Sequence, residues 1–78
     1  MARIQYVVGP HGADWQVSQG GKATTGFKTQ AAAIRAAVDA AHTTGKTHSD
    51  GAQVLVQRPD GQFRTEWTYG HDPYPPKG

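Results

Sequence analysis

The chain has 78 residues, a formal charge of +2 from eight Lys and Arg against six Asp and Glu, and no cysteine. That length holds one small domain, and the missing cysteine excludes disulfides and thiolate metal sites. No apolar run reaches leader or membrane-spanning length, so the sequence predicts a soluble, cytoplasmic protein.

Ile4, Tyr6 and Val8 alternate with Arg3, Gln5 and Val7, the period-two pattern of a half-buried strand over about residues 3–8. The segment GPHGAD interrupts the pattern with glycine, proline and aspartate, and Trp15 and Val17 resume it over about 14–18, which predicts a first hairpin. Gly20 and Gly21 supply the positive φ values of a tight turn, and ATTGF reads as a third strand over about 23–27 with Phe27 inward.

The period then changes. Thr29 is placed to cap a helix over about 30–44, in which Ile34, Ala37, Val38 and Ala41 form one stripe and Gly45 supplies a stop. Seven alanines raise helix propensity and let the helix lie close to a sheet. Ala32, Ala33, Ala36 and Ala40 are expected on its second, outward face.

After the loop KTHSDG, strands are predicted over about 53–58 and 62–68, joined by RPDG: proline presets one central turn position, aspartate favours the next, and glycine takes the left-handed exit. Val54 and Val56 are read as inward, with Phe63, Thr65 and Trp67 facing the same way from the partner strand. The expected fold is α+β, a βββαββ domain with one helix on one face of an antiparallel sheet. Five of the seven glutamines (Gln5, Gln16, Gln53, Gln57 and Gln62) fall on the implied open face. In the Pro-rich tail, 69–78, Gly70 is expected to turn the chain and Tyr69 or Tyr74 to pack back near Trp67 or Trp15.

Taken in order, YVVGPHGADWQV, GFKTQAAAIRAA and VLVQRPDGQFRTEWTYGHDPYPP resemble the bacterial domain of unknown function family 2188 (DUF2188), over essentially the whole chain. That resemblance implies no activity and no cofactor. More remotely, WQV, GGKATTGFKT and the alanine-rich helix are similar to the βββα plan of some DNA-binding domains, integrase arm-binding domains among them, and of the hybrid-binding domain of some ribonucleases H.

Candidate chemistry is sparse. His11 with Asp14, and His71 with Asp72, are possible acid/base or metal pairs, but both sit in turns where such residues serve the backbone. His42 and His48 add no zinc-like spacing. No catalytic residue and no metal site is therefore predicted. The favoured reading is a small non-enzymatic interaction or structural module, with a homodimer or a protein partner and no membrane. The alternative is nucleic-acid binding through Arg3, Gln5, Gln16, Lys22, Lys28 and Arg64. Against it, the basic residues are scattered without a run of like charge.

Overall fold

The computed structural model describes residues 4–49, 51–58 and 60–70. Its elements are β1 (Ile4–His11), β2 (Asp14–Gln19), β3 (Lys22–Phe27), α1 (Gln30–Thr47), β4 (Ala52–Gln57) and β5 (Phe63–Thr68), the expected βββαββ order. The strands form one sheet in the order β3-β2-β1-β4-β5. No helix among the described residues is long and apolar enough to cross a membrane.

The local signals act as their chemistry requires. Gly20 and Gly21 both take positive φ between the paired residues Gln19 and Lys22. The Thr29 hydroxyl accepts a hydrogen bond from Ala32 N–H at 3.1 Å, capping α1. In the β4–β5 turn the Gly61 N–H donates to Arg58 C=O at 2.9 Å, and the Asp60 carboxylate accepts from Gln62 N–H at 3.0 Å. Pro59 lies outside the described residues, as do Arg3 and residues 71–78 of the tail.

One strand pair departs from the antiparallel expectation. β1 and β4 run parallel at the centre of the sheet, from Ile4 beside Ala52 to Val8 beside Val56. β1 and β3 point the same way, and α1 carries the chain back along the sheet, so β4 starts from the same end as β1. β1 is also longer than the alternation suggests. It continues through Pro10, opposite Trp15, to His11, opposite Asp14. Beyond Val8 it has a partner on one side only, a position where proline's missing N–H is tolerated.

The helix packs on its small residues. Ala33, Ala37, Ala41 and Gly45 recur every four residues and, with Val38, are buried against Val8, Ala52, Val54, Val56 and Trp67. Of the four alanines expected on an outward face, Ala33 is buried, Ala36 and Ala40 are half-buried, and Ala32 is exposed; the alanine-rich side is the packing side. Gly45 does not end the helix, which runs on to Thr47. The ring of Tyr69 lies on Gly45, so that a Cβ there would stand 2.9 Å or less from three ring carbons. Tyr69 also meets Trp67 edge-on at 6.2 Å and His42 at 5.7 Å, and its N–H donates to Ala52 C=O at 2.8 Å. Tyr69 is thus the tyrosine that packs back toward Trp67, whereas Tyr74 lies outside the described residues.

β5 corrects a second expectation. Trp67 lies opposite Val54 on the helix side, but the register slips between Val54 and Leu55, so Thr65 pairs with Leu55 and Phe63 with Gln57. Directly opposed residues share a face, and a one-residue slip moves everything beyond it to the other one. Phe63 and Thr65 therefore stand on the open face, and Phe63 is 56% exposed.

Candidate interaction surface

The face of the sheet away from α1 is assembled from three rows that cross the strands. The middle row is continuous through all five: Ala23, Ser18, Val7, Leu55 and Thr65 lie side by side. On one side of it Gln5, Gln53 and Thr68 are in register, with Gln5 Nε2 donating to Gln53 Oε1 at 2.9 Å. On the other side Gln16 pairs with Gly9 and Gln57 with Phe63. The Gln57 side chain reaches over Gly9, where a Cβ would lie 2.9 Å from its Oε1. Val7 and Leu55 are half-buried within this frame of amides and small side chains, with Phe63 at the rim. No charged side chain falls in the three rows.

Of the described cations proposed for this face, two sit at strand positions of the helix side and the third lies at the end of the face. Arg64 is in register with Val56, which puts it on the helix side, and its Nη2 donates to Glu66 Oε2 at 2.8 Å. Lys28, just past β3, has its Nζ 3.7 Å from Asp14 Oδ1. Lys22 is opposite Gln19, in the parity of Trp15 and Val17, and so belongs to the helix side as well. Gln5 and Gln16 do lie on the open face, while Arg3 falls outside the described residues. The structure thus brings the two glutamines to one surface, with Lys28 paired to Asp14 at its end and Lys22 at its margin, and without Arg64.

The histidines are dispersed. His11 faces Asp14 across the exposed end of the first hairpin, the same carboxylate that Lys28 approaches. His42 joins the Trp67–Tyr69 cluster, and His48 is the C-terminal cap residue of α1, its ring Nδ1 3.2 Å from Thr44 C=O. Among the described residues no group of three or more His, Asp or Glu is arranged to hold a metal ion. The His71–Asp72 pair lies outside them.

Sequence reasoning found Gln5, Gln16, Gln53 and Gln57 on this face and missed Phe63 and Thr65, while Gln62, also expected here, belongs to the β4–β5 turn. The signal for those two is weak: FRTEWT alternates cleanly, and nothing in it marks where the extra residue enters.

Neither the curated proteins nor the solved structures contain a match to the chain. A family profile described as an uncharacterized protein conserved in bacteria does match, over residues 5–69, which takes in β1 from Gln5 onward, the other four strands, the helix and Tyr69. The chain belongs to that family, DUF2188.

Proposed function

We propose that this chain is a small non-enzymatic interaction module that docks by the open face of its sheet, with a second copy of itself as the partner. The observation that carries the reading is the uncharged five-strand row through Val7 and Leu55, bordered by amides and by exposed Phe63. A two-fold contact sets a patch against itself, so any net charge in it would be self-repelling. An uncharged patch on a chain of net charge +2 avoids that cost.

Edge pairing is the less favourable route. Both edge strands, β3 and β5, carry a register shift against their neighbour, and β5 also presents the Arg64–Glu66 pair. Bulges and charges of this kind discourage strand addition. The face offers more: five strands about 4.8 Å apart and six residues rising about 3.4 Å each give a surface of roughly 24 by 20 Å. Two such faces together bury on the order of 1,000 Å², the low end for a specific interface, which corresponds to a reversible dimer rather than an obligate one.

Sedimentation velocity from about 10 μM to 1 mM tests this, with Phe63→Asp and Thr65→Glu as paired variants. Both residues are exposed, so the changes should leave the fold intact. The wild type is expected to dimerise and the double variant to stay monomeric. A wild type that remains monomeric throughout, or a dimer indifferent to the double variant, defeats the reading. Salt-sensitive binding of duplex DNA, RNA or hybrid at micromolar protein would favour the nucleic-acid alternative instead. The three rows of the open face carry no cation to support it, and Lys28 at their end is already paired with Asp14.

A further inference from the structure

On the opposite side of the sheet, α1 packs chiefly over β1 and β4 and less over β2 and β3. This leaves a groove of about 270 Å³ between the helix and the β2–β3 wing. Tyr6, Val17 and Phe27 make its floor, and Ala36 and Ala40, one turn apart on α1, make its wall. The short alanine side chains are what keep it open. Gln19, Lys22 and Thr24 also line it, with Gln19 and Lys22 paired at the β2–β3 turn, so the groove is apolar along its length and polar at one end. Lys22 has no carboxylate partner among the described residues, unlike Lys28, Arg35 and Arg64. Lys22 also borders the neighbouring cleft between the start of β1 and the Gly20–Gly21 turn.

We infer that this groove binds a single-chain aliphatic carboxylate, its head beside Lys22 and its tail along Ala36 and Ala40. An unpaired cation at one end of an apolar trough complements that class of molecule: the tail leaves water while the carboxylate keeps a counter-charge. A groove of about 270 Å³ suits a short chain, on the order of eight to ten carbons. The groove and the proposed dimer face lie on opposite sides of the sheet, so either can fail without the other.

Amide chemical shifts followed during titration with decanoate, below its aggregation concentration, test the assignment. Saturable shifts confined to Val17, the 22–27 strand and the 36–40 turn of α1 are expected. Each methylene added between octanoate and decanoate should tighten binding by about two- to fourfold. Lys22→Glu should weaken decanoate at least tenfold, and Ala40→Leu, which fills the trough, should abolish binding while the spectrum stays dispersed. If Ala40→Leu unfolds the chain, Ala36→Val serves the same purpose with less added bulk. The inference is overturned if decanoate gives no saturable shifts, if decanol binds as tightly as decanoate, or if Lys22→Glu changes nothing. It is equally overturned if the groove amides shift with protein concentration alone, for a second copy would then be the occupant.

Discussion

Gly45 offers the most discriminating test of the packing. In an open helix interior, glycine to alanine stabilises by about 1 kcal/mol, through restricted backbone freedom in the unfolded chain. At Gly45 the added methyl would meet the Tyr69 ring near its base, where the side chain cannot swing aside by rotating its tip. The ring must move as a whole, disturbing its contacts with Trp67 and His42. Overpacking of this kind costs typically ~1–3 kcal/mol, so Gly45→Ala is expected to destabilise by up to about 2 kcal/mol after the helix gain is subtracted. For a domain this small that is a fall of up to roughly 15 °C in Tm. Tyr69→Ala, which removes a half-buried aromatic, should cost ~2 kcal/mol. In that background the obstacle is gone, and Gly45→Ala should become stabilising by about 1 kcal/mol. Urea and thermal unfolding of the two single variants and the double variant measure this reversal of sign. Stabilisation by Gly45→Ala in the wild-type background would refute the packing of Tyr69 on α1.

Gly9→Ala provides a contrast, because the atom it meets is the far end of Gln57's flexible side chain; stability within ~0.5 kcal/mol of wild type is expected by urea unfolding. Thr29→Ala removes the cap acceptor of Ala32 N–H and should cost about 1 kcal/mol, whereas Thr29→Asp should recover most of it in the same assay. Tyr6→Phe breaks the 2.6 Å hydrogen bond shared with the Thr44 hydroxyl, a loss of roughly 1 kcal/mol readable as a lower urea midpoint at unchanged m-value. Phe63→Ser, at an exposed rim position, should leave monomer stability within ~0.5 kcal/mol while weakening self-association by sedimentation.

The features legible in the sequence are those decided within a few residues. Thr29 caps α1, the Gly20–Gly21 turn forms, and Asp60 and Gly61 close the β4–β5 turn, because each depends on its own backbone. Alternation likewise placed Gln5, Gln16, Gln53 and Gln57 on the open face. What the sequence hid depends on partners distant along the chain. Gly45 carries the local mark of a helix end, and only the ring of Tyr69 explains why it sits inside one. The faces of Phe63 and Thr65 hinge on one extra residue in β5, which matters only against β4. Lys28 meets Asp14 because β2 and β3 are neighbours, which no spacing reveals. Arg64 and Glu66 are different: residues two apart in a strand share a face, so that ion pair could have been anticipated, and with it the loss of Arg64 as a free cation.

The parallel pairing of β1 with β4 also bears on how the domain forms. Ile4 to Val8 find their second neighbour only 48 positions further along, after two hairpin turns and the whole of α1. The β1–β2–β3 meander can close locally, but it leaves the inner side of β1 without the strand that completes the sheet centre. Assembly must therefore meet the loop-closure entropy of more than half the chain before its most buried valines, Val8 and Val54, come together. A domain wired in this way is expected to fold in milliseconds or slower rather than in the microseconds of a helical bundle of equal size. During synthesis the strand made first would then wait for residues 52–57 before joining a finished sheet.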